Sequence, residues 1–417
     1  MPTEVFKVNG ITVANIKNDS ENVFFGITVL AGSNYEAPEI AGISHFAEHL
    51  AFKGTKTRNW KQINESIAKL GVSNNAYTSN NEVIYFGTFP KDNTEKVIEI
   101  ALDMFFNSTL PEEEMEKERN VILEEKNMYE DNPKYAFENR VGNNFFIWSL
   151  GHDTIGTVET IKSITREQVI DYLRQKTNLE NLVFICSGNV DSNDLKRYIE
   201  KNVPSQHPYL RNDIGIHNLP NGLWTDIVNK PEKVKYLYER ENIEQSTVYM
   251  MVQGLSNEDV MYHTSQVLYE AIGGGMYSYL FSRIREELGL CYSVGVSNMC
   301  MSYPDRNITN TYGFTSPKNV DLFMEETEKI IRGIMKNGIN QDIFECAKTD
   351  HLASTLRGTE TSTGKAFYLV KKLLFQKKGS LEESLEKIRA VKIEDCNGLA
   401  EAIFSKNWNW AIMNPKK

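Results

Sequence analysis

Over the first thirty positions apolar and polar residues alternate, in Val5-Phe6-Lys7-Val8, Ile11-Thr12-Val13-Ala14 and the run Val23–Val29. A period of two predicts strands, and Asn9-Gly10 between the first two runs is a hairpin signal. The period then lengthens. Ile43, Phe46, Ala47, Leu50 and Ala51 recur at helical spacing, with Gly54 as a stop. A second helix is expected at about 60–70, then paired strands in Asn75–Ser79 and Glu82–Gly87. Helices follow at 92–107, from Pro111 towards Asn132-Pro133, and at 134–147 and 166–177. Asn181–Asn189 reads as a buried strand, and a helix at 192–201 closes this half.

Between Val203 and Lys233 the periodicity stops, and Pro204, Pro208, Pro220, Asn221-Gly222 and Pro231 mark a linker. The second half then repeats the order of the first. A strand at Ser246–Gly254 leads to helices at 257–270 and 277–287, strands at 291–299 and 307–315, helices at 317–335 and 340–358, and a last strand at Trp408–Met413. This pattern predicts an α+β protein of two similar domains, each a mostly antiparallel sheet packed with helices. The expected boundaries are 1–203 and 234–417, joined by a linker at 204–233.

Composition narrows the class. At 417 residues the chain exceeds one ordinary core. A net charge of −10 argues against nucleic acid or an anionic membrane surface as the main partner. No run approaches the roughly 20 apolar residues of a membrane span, and the N-terminus has neither a signal-peptide core nor an Arg-rich transit pattern. Five scattered cysteines with no C-x-x-C pair fit a reducing, cytoplasmic compartment.

The chemistry sits in the first-half helix that begins at Ile43. His45 and His49 fall one turn apart on one face, where two imidazoles can reach one small divalent cation, and Glu48 lies beside them. This is H-x-x-E-H, the inverted zincin motif. A catalytic zinc takes three protein ligands, so one is missing. Glu118 and Glu125, seven apart with Val121 and Ile122 between them, are the best carboxylate candidates, because a carboxylate on an inward helix stripe needs a partner. Spacing alone does not choose between the two.

His45-x-x-Glu48-His49 followed by Glu118–Glu125 resembles the pitrilysin/insulin-degrading-enzyme family of zinc peptidases, whose shorter members include the mitochondrial processing peptidase β subunit and bacterial homologues. The resemblance makes His45, His49 and Glu125 the ligands of one Zn2+ per chain, Glu48 the general base and Glu118 a support for a ligating histidine. It also makes Asn75, Ala76 and Tyr77 part of a strand that pairs with substrate, and it covers the Gly151–Gly156 loop, whose His152 reads as non-catalytic. In the second half, Gly273-Gly274-Gly275 and Arg285 through Tyr292 look like the family's other motif, which implies that Arg285 and Tyr292 orient substrate and stabilise the oxyanion. The resemblance further implies a zinc-dependent endopeptidase acting on peptides or unfolded segments in an enclosed chamber. One chain would form half of a clamshell, completed as a homodimer. A non-catalytic or partner-dependent subunit is the competing expectation.

Overall fold

The structure, a computed structural model, describes residues 3–145, 153–203, 235–255, 259–302, 306–374, 379–406 and 408–416. The linker expected at 204–233 and the Gly151-His152 part of the loop lie outside them. In chain order the strands are β1 (Thr3–Val8), β2 (Ile11–Lys17), β3 (Asn22–Val29), β4 (Ser73–Thr78), β5 (Val83–Pro90), β6 (Leu182–Gly188), β7 (Lys235–Arg240), β8 (Ser246–Gln253), β9 (Cys291–Ser302), β10 (Arg306–Thr315) and β11 (Asn409–Pro415). The first helices are α1 (Ile43–Leu50), α2 (Trp60–Lys69), α3 (Thr94–Phe106), α4 (Glu112–Asp131), α5 (Pro133–Phe145), α6 (Val158–Ser163), α7 (Arg166–Lys176) and α8 (Ser192–Asn202). They are followed by α9 (Tyr262–Gly273), α10 (Val320–Asn337), α11 (Gln341–Gly358), α12 (Ser362–Leu374), α13 (Leu381–Ala390) and α14 (Ile393–Phe404).

The chain forms two compact units. In the first, the sheet order is β1-β2-β6-β3-β5-β4. The Asn9-Gly10 turn is made as the sequence predicts, with φ of 49° and 87° and Val8 facing Ile11. β6, buried along its whole length, runs parallel to β2 and antiparallel to β3, so its apolar run sits at the centre of the sheet. One face of this sheet carries the main core, where Val13, Phe25, Ile27 and Phe184 meet Ile43, Phe46 and Leu50 of α1. Among the described residues, edge strand β4 pairs only with β5, Ala76 opposite Tyr85.

The second unit has the sheet order β7-β11-β8-β10-β9. Among the described residues its one parallel pair, β7 with β11, occupies the place that β2 with β6 holds in the first sheet, and the other pairs are antiparallel. The two sheets therefore share one plan, as the order of elements predicted. Its core joins Val248, Met250 and Ile412 to Val267, Leu268, Phe323, Ile331 and Ile403.

The blocks 1–203 and 234–417 supply most of each unit, and each unit also takes one helix from the other block. α12 lays Ala366, Val370 and Leu374 on Ala14, Ile16, Phe24, Ile84, Val183 and Ile185, the second face of the first sheet. α5 belongs to the second unit, where Phe137 stacks edge-on with Tyr238 and Tyr249, and Glu138 accepts a hydrogen bond from the Tyr249 hydroxyl at 2.7 Å. α12 itself, with α13 and α14, was not predicted. The helix expected at 277–287 is a π-helical turn, Phe281–Glu287. Among the described residues no helix is long and apolar enough to cross a membrane.

Candidate metal centre

Two buried glycines and one buried carboxylate aim α1. Its first residue follows Gly42, at φ 92°, where a Cβ would stand 2.2 Å from the Ile155 carbonyl oxygen. Gly156, at φ 90°, meets the Ala41 carbonyl oxygen in the same way, so the two glycines let two backbones touch. That is the physical content of the Gly-containing loop. The helix N-terminus is then capped by Glu36, which is fully buried. Its carboxylate accepts from the Gly42 amide at 2.7 Å and the Ser44 amide at 2.8 Å, satisfying donors that open any helix and placing negative charge where the helix dipole favours it.

α4 is held against α1 by Arg119. Its guanidinium lies over the Phe46 ring, 5.2 Å from the centroid, and donates to the carbonyls of Ile161 and Ile164 in and after α6. This registry brings Glu118 and Glu125 to the two histidines. Nε2 of His45 is 3.6 Å from Oε2 of Glu125, and Nε2 of His49 is 3.3 Å from the same oxygen. His45, His49 and Glu125 offer ligand atoms within 4.8 Å of one another, and they are the one such trio among the described residues. Atoms bound about 2.0–2.2 Å from a tetrahedral zinc stand about 3.3–3.6 Å apart, so this donor set fits a single divalent cation.

Glu118 takes a different place. Its Oε2 is 2.9 Å from Nδ1 of His49, and its Oε1 is 2.5 Å from the Lys53 ammonium. With Nδ1 committed to Glu118, Nε2 of His49 is the atom left for a metal. The two carboxylates that spacing could not separate are therefore separated by geometry. Lys53 was not picked out from the sequence.

The charges differ between the two rings. Burial and the neighbouring His49 push His45 down to about 4, so it stays neutral, the form a metal requires. Burial would lower His49 as well, but its hydrogen bonds to Glu118 and Glu125 outweigh it and raise the ring to about 9. Hydrogen bonding from His49 holds Glu125 below the usual carboxylate range. For Glu118 burial works the other way, and the bonds to His49 and Lys53 prevail. Burial raises Glu48, against a 2.6 Å hydrogen bond from the Thr78 hydroxyl.

Thr78 ends β4, so the strand edge lies beside the histidine helix. Asn74, Ala76 and Thr78 share the face towards α1, while the Tyr77 ring packs on Phe86 and Phe367 on the opposite face. Of Tyr77, therefore, the backbone is what the edge can offer. Behind the edge lies an apolar cavity of about 60 Å³ lined by Phe52, Ile67, Tyr85, Met104, Phe105 and the Asn74-Asn75 segment. In the second unit the Arg285 guanidinium stands over the Tyr292 ring at 4.7 Å and the Phe281 ring at 4.5 Å. Tyr292 itself is 79% exposed.

A bis-histidine and carboxylate cluster next to a buried carboxylate and a free strand edge has the parts of a metal-dependent hydrolase. Residues 12–158 match the sequence model described as insulinase (peptidase family M16), and residues 163–350 match the one described as peptidase M16 inactive domain. A protein of Bacillus subtilis named an uncharacterized zinc protease is 30% identical over 98% of this chain and 97% of its own length. A Rickettsia bellii protein of similar name is 32% identical over 98% and 96%. Among solved structures, a protease from Helicobacter pylori superposes with a TM-score of 0.90 at 19% identity, covering 99% of both chains. The peptidase M16 inactive domain from Pseudomonas fluorescens does so at 0.86 and 15%, covering 100% and 99%. The chain belongs to the insulinase family, peptidase family M16.

Proposed function

We propose that the chain is a zinc-dependent endopeptidase that hydrolyses peptides or unfolded polypeptide segments. The observation that carries this reading is the convergence of His45, His49 and Glu125 beside Glu48 and the edge of β4. Zinc is the metal in the names of the curated relatives, and the nitrogen and carboxylate donors suit it. His45, His49 and Glu125 would hold it, with Glu118 orienting His49. When bound, zinc supplies Lewis acidity, making a water more acidic and polarising a carbonyl.

The chain's own groups do the rest. Glu48 takes the water proton and hands it to the leaving amine, a role suited to a carboxyl raised by burial. The backbone of Asn75, Ala76 and Tyr77 receives the substrate as an added strand, which requires an extended segment. Arg285 and Tyr292 are assigned to substrate orientation and oxyanion stabilisation on the family resemblance, and a homodimer is the expected assembly. A non-catalytic reading draws on the match of residues 163–350 to an inactive-domain description. That stretch contains no H-x-x-E-H, whereas the complete motif lies in residues 12–158.

A peptide-mixture digest read by mass spectrometry, with and without chelator, tests the proposal. Cleavage that stops with chelator is expected, and the Glu48→Gln variant should keep its zinc and lose about 10²–10⁴ in turnover. Zinc-loaded protein that cleaves nothing, or a Glu48→Gln variant of normal activity, refutes it.

A further inference from the structure

Among the described residues, the Glu48 carboxylate has one hydrogen-bond partner, the hydroxyl of Thr78, which donates to Oε2 at 2.6 Å. The partner is not on α1 but thirty residues further along the chain, at the end of the exposed edge strand, opposite Val83 of β5. A carboxylate reached through two side-chain torsions beyond Cβ can swing, and its charged neighbours include His49 and Glu125. A bond to one oxygen removes that freedom and leaves Oε1 as the proton acceptor. β-branching adds to the effect, because it restricts the χ1 of Thr78.

We propose that Thr78 is a positioning residue: its hydroxyl fixes one oxygen of Glu48 so that the other is presented to the reacting water. It thereby ties the base to the strand on which substrate is laid. The inference rests on the peptidase reading above and goes further, because it makes the register of β4 a determinant of the chemical step. Ala76 and Thr78 face α1 together, so a peptide added to the edge pairs with the same segment that orients the base. The family resemblance led to the backbone of this strand and not to a side chain at its end.

The test compares Thr78→Val, which keeps the shape and removes the hydroxyl, with Thr78→Ser, which keeps the hydroxyl. Thr78→Val should lower kcat about 10- to 100-fold with KM unchanged, since a misplaced base costs about 10²-fold and a lost one up to about 10⁴. Thr78→Ser should restore kcat to within a few-fold of wild type. Two readouts stand apart from turnover. Zinc content by mass spectrometry should match wild type in both variants. Peptide affinity, measured by fluorescence anisotropy in the zinc-loaded Glu48→Gln background, should be the same with Thr or Val at position 78.

A Thr78→Val enzyme with wild-type kcat overturns the proposal. So do equal losses in the Val and Ser variants, a lowered zinc content, or weakened peptide binding, all of which indicate a structural role for the strand end. If wild type cleaves and Glu48→Gln does not, these outcomes sink the role of Thr78 alone and leave the peptidase reading standing. A wild type without activity sinks both.

Discussion

Replacing Glu36 by glutamine removes a charge that never meets solvent, and the consequence can be worked from the two bonds it makes. The carboxylate accepts from the amides of Gly42 and Ser44 at 2.7 and 2.8 Å, one on each oxygen. Hydrogen bonds to charged groups contribute about 1.5–3 kcal/mol each, against about 0.5–1.5 for neutral ones. Glutamine keeps one acceptor, weakened by the loss of charge, and turns its NH2 towards the other amide, so two donors face each other in a dry site. Lys176 suffers as well. Burial already lowers its pKa, and Glu36 is the charge that offsets this, while the ammonium stands over the rings of Tyr35 and Tyr172. Together these give a loss of about 2–4 kcal/mol, or roughly 5–12 °C in the melting of a unit of this size. Circular dichroism on metal-free protein measures the shift, and amide exchange at Ser44 locates it at the start of α1. A Glu36→Gln variant within about 0.5 kcal/mol of wild type, with Ser44 still protected, would show that the helix is not capped in this way.

Other perturbations address the metal centre more directly. Glu118→Gln, which weakens the support of His49, should reduce metal affinity about 10- to 100-fold in a chelator competition while leaving the fold intact; unchanged affinity would remove Glu118 from the site. Without metal, His49 keeps its proton up to about 9, burial being outweighed by its two carboxylate partners. Metal must displace that proton. Affinity should therefore rise about tenfold per pH unit below 9 and level off above it, with calorimetry in two buffers at pH 7 reporting release of about one proton. Zero release would place the proton elsewhere. Gly156→Ala forces a Cβ to 2.2 Å from the Ala41 carbonyl oxygen at φ 90°. Strain of about 1–2 kcal/mol plus the displaced backbone should lower both the melting temperature and metal affinity, and a neutral result would mean the loop is free to move away.

The parts of the site that were legible in the sequence are those written within one element. The helical period of α1 and the His45–His49 spacing lie in the same eight residues, so one stretch declares both the element and its chemistry. Glu118 and Glu125 were visible as an inward pair on one helix; their spacing did not separate them, and the family resemblance gave Glu125 to the metal and Glu118 to its support. The folded registry sets Glu125 against both histidines and Glu118 against Nδ1 of His49. Glu36, Lys53 and Thr78 left no periodic trace. Each acts across a loop or from another element, and a buried carboxylate before a helix looks on paper like any solvated glutamate. The missed elements have similar causes. β7 is a short edge strand, Lys-Tyr-Leu-Tyr-Glu-Arg, whose solvent-facing side carries Lys235, Leu237 and Glu239, so its alternation is blurred. The apolar stripe of α12 is meant for strands written far earlier in the chain, and nothing near it announces its destination.

That distance has a consequence for how the protein is made. During synthesis Phe24, Ile84, Val183 and Ile185 are all complete by the end of β6, yet the residues that cover them, Ala366, Val370 and Leu374, emerge only after the intervening residues 189–365. At about 5–20 residues per second the first sheet waits roughly 10–40 s with one apolar face uncovered. The N-terminal half therefore leaves the ribosome as an unfinished body, adhesive on one side, and the closing of its sheet is among the last events of its birth.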